Sequence, residues 1–335
     1  MASARKWIAV TATDDFPVAL GPVRKAVKGV APMRIVKLPF SPLSPSEEKL
    51  FATQLQRAAG MLLRPGYVTP SLLDQLPDLR VVAVHGAGVD QVDVDACTER
   101  GVLVTNAPGA NADAVTELVI ALMISLTRRL PESAARVHAE RVWGEARHTG
   151  GELRGKALGL IGLGQIGGRV AGVAKAIGMK ISAHDPALSA AEIRARGAKP
   201  SSMDALLAES DFISLHAPAI PATHHMINRR AISKMKKGAY LINAARGPLV
   251  DEVALAAALK KGKLGGAALD VLEGEPPDPS SIIFDAPNII LTPHMAGSTH
   301  ECLETIARVA AEDIARVLRG KRPKHPVNKP ANRVR

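Results

Sequence analysis

Short apolar runs alternate with longer amphipathic stretches along most of this chain, and the alternation predicts strands and helices in turn. Trp7-Ile8-Ala9-Val10, Arg34-Ile35-Val36-Lys37-Leu38, Gly60-Met61-Leu62-Leu63 and Val81-Val82-Ala83-Val84 read as strands. Glu47 to Ala59 and Val94 to Arg100 read as helices, and the proline-rich punctuation from Pro39 to Pro45 separates the second strand from the helix after it. After Gly101 comes a strand, Val102-Leu103-Val104, then a turn at Asn106-Ala107-Pro108-Gly109 and a long apolar helix over 112–130. Most faces of that helix are apolar, which predicts burial on several sides, within its domain or at a subunit contact. From Lys156 a second series begins, with strands near 157–161, 179–183, 211–215, 238–242, 265–270 and 288–291. Repeated strand–helix alternation predicts parallel sheets covered by helices on both faces. The fold class is therefore α/β, with two doubly wound units. The last helix, Thr299 to Arg319, follows the second series and is expected to cross back to complete the first.

Composition narrows the picture. The chain is 47% hydrophobic but only 3% aromatic, so its cores must be built from Ala, Val, Leu and Ile. The longest apolar stretch, Leu118 to Leu126, falls short of the ~20 residues a membrane helix needs. No charged segment followed by an apolar one opens the sequence, so a cytoplasmic location is expected, with no membrane partner. Cys97 and Cys302 match neither a disulfide framework nor a metal spacing, and no metal is expected. The net charge of +11 raises nucleic-acid binding as a question. The cations are scattered, however, and the densest run, Arg319-Gly320-Lys321-Arg322-Pro323-Lys324, lacks interleaved aromatics. Nucleic acid is not an expected partner.

The strongest chemical signal lies at the start of the second series. The run Ala157 to Ile161 leads into Gly162-Leu163-Gly164-Gln165-Ile166-Gly167, a helical pattern follows, and the next strand ends at Asp185. Strand, glycine turn, helix, strand and acid is the arrangement that holds a dinucleotide. The first glycine permits the turn, the second lets backbone approach a pyrophosphate, and the third lets helix pack on sheet. The helix N-terminus offers unpaired N–H groups to the phosphates. Asp185 lies 23 residues past Gly162, near the expected ~20. A carboxylate there accepts the ribose hydroxyls of NAD and repels a 2′-phosphate. Pro186 and Ala187 follow it with no adjacent arginine, so NAD is expected rather than NADP.

Other polar groups fall at later strand ends, where ligands of open α/β sheets bind. These are His216-Ala217-Pro218, Asn243-Ala244-Ala245-Arg246-Gly247, Asp270 and Thr292-Pro293-His294. Arg246, between a strand and a glycine turn, suits a bidentate clamp on a carboxylate. The alternative is a surface salt bridge. His294 precedes Met295-Ala296-Gly297-Ser298, a candidate hinge, and could otherwise be a hydrogen-bonded core histidine. Glu275 gains a role only if it reaches His294.

In these motifs, from Gly86-Ala87-Gly88-Val89-Asp90 through Ala267 to Val271 and Glu275-Pro276 to Pro326-Val327-Asn328, the chain resembles the D-isomer-specific 2-hydroxyacid dehydrogenases. The resemblance implies a Rossmann cofactor domain inserted in a flavodoxin-like substrate domain. The substrate domain would comprise residues 1–103 and 297–335, the cofactor domain residues 104–296, with hinges near Val104 and Ala296. It implies a catalytic trio in which His294 donates the proton as hydride passes from nicotinamide to a 2-oxo acid. Glu275 would orient the imidazole and raise its pKa, while Arg246 holds the carboxylate. It also places Gly162, Gly164, Gln165, Ile166, Gly167, Asp185, Ala217, Pro218, Ala244, Ala245, Asp270 and Gly297 on the cofactor. For Asp270 the alternative is a cap on a turn. The backbone of Ala87 and Gly88, with Arg64 as a possible anion contact, falls on the substrate. A homodimer through the cofactor domains is implied as well.

Some relatives that oxidise phosphoglycerate carry arginine where this chain has Val84, and the chain leaves no room for their long regulatory domain. Small unphosphorylated 2-oxo acids such as glyoxylate or hydroxypyruvate are therefore the expected substrates, with phosphoglycerate as the alternative. Formate dehydrogenases place glutamine before the histidine, where this chain has Pro293. A second alternative is an NAD-sensing corepressor that uses the same fold for interaction.

Overall fold

In the computed structural model, described for residues 6–141, 143–144 and 149–330, the chain forms two compact units. One ends at Asn111 and resumes at Ser298; the other is Ala112–Gly297.

The first unit carries strands β1 (Trp7–Thr11), β2 (Met33–Val36), β3 (Ala58–Leu63), β4 (Val81–Val84) and β5 (Leu103–Thr105). All pair in parallel, in the order β2-β1-β3-β4-β5. Helices α1 (Leu20–Val27), α2 (Pro45–Leu55), α3 (Pro70–Asp74) and α4 (Val94–Glu99) connect them. β1, β3 and β4 are buried along their whole length, as a sheet covered on both faces requires. The predicted helix Glu47–Ala59 stops early. Arg57 turns left-handed at φ 67°, and Ala58 already pairs with Trp7 in the sheet. Helix propensity in the alanine pair loses to the burial gained by joining the ladder.

The second unit holds β6 (Ala157–Ile161), β7 (Lys180–His184), β8 (Lys199–Pro200), β9 (Phe212–Leu215), β10 (Ala239–Asn243), β11 (Leu264–Leu269) and β12 (Ile289–Leu291). The order β12-β11-β10-β9-β6-β7-β8 is parallel throughout. β8 has no counterpart in the sequence prediction; it is two residues long and contains Pro200, which an edge strand tolerates. Helices α5 (Ala112–Arg128), α6 (Leu130–Glu140), α7 (Gln165–Ile177), α8 (Ala190–Ala195), α9 (Met203–Glu209), α10 (Arg229–Lys234) and α11 (Glu252–Lys260) complete it.

The single helix expected over 112–130 ends at Arg128. Arg129 is left-handed at φ 52°, and Pro131 opens α6 in a new direction. Val115, Val119, Leu122, Met123 and Leu126 of α5 are buried in the core of their own unit. Intradomain packing thus accounts for most of the apolar surface that left a subunit contact open.

The boundary between units differs from the predicted 103/104 and 296/297: the structure divides at 111/112 and 297/298. β5 pairs with β4, and beyond it the Ala107 N–H donates to the Gly86 carbonyl at 2.8 Å, so the chain stays with the first sheet for several more residues. From Ser298 the chain re-enters the first unit through α12 (His300–Leu318), which packs on α1 and on the sheet. The strand-like segment after it is tied down by Asn328, whose side chain bonds Val104, Thr98 and Val102 at 2.8–2.9 Å.

Candidate active site

In the second sheet, β6 lies between β7 and β9, so the chain leaves β6 toward one side and later returns on the other. At such a switch point the loops beyond the carboxyl ends diverge and leave a crevice. The glycine turn follows β6 at this point. Gly162 has φ 91°, and a Cβ there would stand 2.7 Å from the His216 carbonyl oxygen, so only glycine fits. At Gly164 a Cβ would meet nothing within 4 Å, which leaves the backbone open to a ligand. At Gly167 it would lie 2.3 Å from the Gly162 carbonyl oxygen, so the third glycine sets how closely α7 seats on the turn. No side chain caps the N-terminus of α7. These features fit a pyrophosphate held by backbone N–H groups.

Asp185 follows β7 and faces the same turn: its carboxylate accepts the Leu163 N–H at 2.8 Å and the Ala187 N–H at 3.0 Å. Beside it lies a shallow hollow of about 350 Å³, lined by His184, Leu188, Ile193, Pro200 and Ser201 among others. Ile166 packs part of its side chain on the core. Gln165 is exposed at the start of α7. Ala217 and Ala245 pack against one half of the core and Ala244 against the other. Pro218 accepts the Thr223 hydroxyl at 2.7 Å.

Two supports of this region are His216, which the sequence placed at a strand end without a role, and Arg196, which it passed over. His216 is half-buried, with Nε2 3.0 Å from the Ser214 hydroxyl, and desolvation pulls its pKa down to about 4. It is therefore a neutral ring wedged behind the turn. The i, i+2 spacing of Ser214 and His216 on one strand face was the available signal. Arg196 donates from Nη1 to the Leu163 carbonyl at 2.6 Å and braces the turn from the other side. Eleven residues separate it from Asp185, so a search for an arginine adjacent in sequence passes over it.

The residues expected to carry acid–base chemistry gather at the ends of β10, β11 and β12. His294 donates from Nδ1 to Glu275 Oε2 at 2.6 Å, leaving its other ring nitrogen for chemistry. That bond raises the His294 pKa above its ordinary 6.5, against the opposing effects of burial and of the Arg246 charge. The His294 side chain remains half exposed, as a group that exchanges protons with a ligand must be. Its backbone is left-handed at φ 51°, an uncommon conformation for a non-glycine residue. Asp270 holds it there. This carboxylate, 1% exposed, accepts the Thr292 hydroxyl at 2.6 Å and the Met295 and Ala296 N–H groups at 2.9 Å. Its backbone carbonyl takes the His294 N–H at 2.8 Å. The contacts of Asp270 are those of a turn anchor, one of the two roles the sequence left open, and Gly297 ends the segment it fixes.

Glu275 is fixed in turn by the Leu272 N–H, which donates to Oε1 at 3.0 Å. Arg246 follows β10 in extended conformation, and its carbonyl accepts the Asn243 side-chain amide at 2.8 Å. The next residue, Gly247, sits so close to the Glu275 segment that a Cβ would lie 1.9 Å from the Leu272 carbonyl oxygen. Arg246, Glu275 and His294 are thus brought together within the second unit.

The remaining predicted residues lie on the first unit, beyond the carboxyl ends of β3 and β4. Arg64 donates from Nη1 to His85 Nδ1 at 3.0 Å. Burial pulls the His85 pKa down to about 3, keeping that nitrogen an acceptor. Ala87 and Gly88 form the turn after β4, held by the Asn106 side-chain amide, which donates to the Ala87 carbonyl at 2.6 Å.

Comparison with known proteins agrees with this architecture. Residues 120–296 match the family described as D-isomer specific 2-hydroxyacid dehydrogenase, NAD binding domain. The chain therefore belongs to the D-isomer specific 2-hydroxyacid dehydrogenase family. It is 37% identical to a glyoxylate reductase of Thermofilum pendens over 87% of each chain. It is 40% identical to a D-3-phosphoglycerate dehydrogenase of Methanocaldococcus jannaschii over 83% of this chain and 53% of that protein. The chain thus spans about half the length of that relative. A crystal structure of D-lactate dehydrogenase from Aquifex aeolicus, complexed with NAD and lactic acid, superposes with a TM-score of 0.83. It shares 31% identity, over 97% of this chain and all of that one.

Proposed function

We propose that this protein is an NAD-dependent 2-hydroxyacid dehydrogenase that interconverts small 2-oxo acids and D-2-hydroxy acids. The observation that carries the reading is the 2.6 Å bond between His294 and Glu275, on the sheet that also bears the glycine turn and Asp185. Bound NADH supplies the hydride. His294, charged to higher pH by Glu275, gives its proton to the carbonyl oxygen as that oxygen becomes an alkoxide. Arg246 pairs with the substrate carboxylate and adds positive potential where negative charge develops. The Ala87 and Gly88 N–H groups of the first unit are assigned to the substrate. Gln165, Ile166, Ala217, Pro218, Ala244, Ala245 and Gly297 are assigned to the cofactor through backbone and small side chains.

Asp185 supports NAD over NADP, since a 2′-phosphate would meet a carboxylate already committed to two backbone N–H groups. The substrates favoured are unphosphorylated, glyoxylate or hydroxypyruvate, because Val84 offers no charge to a phosphate. Phosphoglycerate is the second reading, favoured by the Arg64 guanidinium held in place by His85. A homodimer formed through the second unit belongs to the proposal. All of α6 is free of buried residues, and Trp143 beyond it is 94% exposed. An eleven-residue helix with no fully buried residue is marginal in water and gains stability from a partner surface. Among the described residues no helix is long and apolar enough to cross a membrane. A cytoplasmic location is proposed with it.

The test is a panel of 2-oxo acids with NADH and NADPH. Wild-type protein should oxidise NADH with at least one small 2-oxo acid, and His294→Ala should lose roughly 10²–10⁴ in rate. Unchanged activity in that variant would remove His294 from the mechanism. Tighter binding of NADPH than NADH would overturn the role given to Asp185.

A further inference from the structure

On the same unit, outside the trio, two adjacent histidines and a glutamate converge. His224 Nε2 stands 3.3 Å from Glu273 Oε1, and His225 Nε2 stands 2.9 Å from both carboxylate oxygens. The two imidazoles stack with centroids 4.0 Å apart. One ligand atom from each of the three residues lies within 4.8 Å of the others. Around a tetrahedral zinc with bonds of 2.0–2.2 Å, neighbouring ligand atoms stand roughly 3.3 Å apart. The two histidine–glutamate separations are close to that edge.

The surroundings fix this arrangement. The His225 N–H donates to the Pro248 carbonyl and the Ile227 N–H to that of Leu249, which pins the histidine loop to the turn after Arg246. His225 is left-handed at φ 47°, an uncommon conformation for a non-glycine residue, and its ring meets Glu273. Glu273 is held through its N–H, which donates to Glu252 Oε1 at 2.7 Å. Negative charge is concentrated here. The Glu252 and Glu275 carboxyl groups lie in the neighbourhood of Glu273. Two imidazoles and a carboxylate that converge on one another, with further carboxyl groups nearby, suit a divalent cation.

We propose that His224, His225 and Glu273 form a binding site for a Zn²⁺-class divalent cation, with water completing the coordination. The set is two nitrogens and one carboxylate, which suits zinc better than magnesium or calcium. Side-chain exposures between 34% and 56% make the site an open one from which the metal exchanges. The bound ion would join the loop after β9 to the segment that carries Glu275, two residues beyond Glu273.

The experiment is equilibrium dialysis of full-length protein, prepared without a histidine tag, against ZnCl₂. His224→Ala, His225→Asn, Glu273→Gln and His294→Ala variants are treated in parallel. Asparagine tolerates the left-handed backbone at 225, so that variant retains the fold, and circular dichroism verifies it. The expected result is one zinc per chain in the wild type and in His294→Ala. Affinity should fall by about 100-fold or more in the other three variants. Zinc binding that survives in His224→Ala and His225→Asn overturns the proposal. So does binding that is lost in His294→Ala alone, which would put the metal on the acid–base pair instead.

Discussion

At the scale of single residues, the site depends on a histidine whose properties are set by one carboxylate. Glu275 raises the His294 pKa above 6.5 by accepting the Nδ1 proton. In the reduction direction the protonated ring is the active form. The rate should be level at low pH and fall as pH rises through the raised value. Glu275→Gln keeps a hydrogen-bond acceptor but removes the charge, so the falling limb should move to lower pH. A pH–rate profile with an unmoved limb would show that the titrating group is elsewhere. Asp270 acts differently: it is buried and its three accepted bonds hold the backbone that presents His294. Asp270→Ala would orphan those donors, at about 1–3 kcal/mol for a buried group, and release the left-handed turn. We expect a lowered melting temperature together with a loss in kcat. A normal melting temperature with lost cofactor binding would instead mark Asp270 as a direct ligand.

Among the elements, the turn after β10 is the one that brings the parts together. Gly247 permits the Arg246 segment to touch Leu272 and Glu273, which leads on to Glu275. Gly247→Ala would force the two loops apart by more than an ångström, since the contact is with backbone rather than a flexible side chain. The trio would separate while both strands remained. Activity should drop by roughly 10²-fold, the loss that misplacement by 1 Å can cause, with far-ultraviolet dichroism near that of the wild type. Full activity in Gly247→Ala would show that the loop contact does not position Arg246. Elements buried on every face, such as β1, β3 and β4, were readable as apolar runs. The end of α2 was not, because the choice at Ala58 and Ala59 rests on pairing with a strand some fifty residues earlier.

For the molecule as a whole, a mass of twice 35.2 kDa is expected by light scattering. Leu130→Glu and Trp143→Glu would place charges on the exposed apolar positions around α6. They should shift the protein toward monomer if that surface is the contact. A wild-type monomer at micromolar concentration would refute the dimer. The net charge of +11 does not by itself identify a partner, since its cations are spread over the whole sequence.

The sequence by itself determined the α/β class, the dinucleotide turn with Asp185, and the polar strand ends that include Arg246 and His294. Those features are local: a strand, a glycine turn or a helix is encoded by residues within a short window, and so is the motif they form. Only the tertiary structure decided what meets what. His294 reaches Glu275 across 19 residues, Arg196 reaches Leu163 across 33, and His225 reaches Glu273 across 48. It also showed that the Asp270 carboxylate accepts from the turn around His294 and that β5 and the residues after it stay with the first sheet. Such contacts depend on strand order and loop approach, which arise from packing over the whole unit and leave no periodic trace in the sequence.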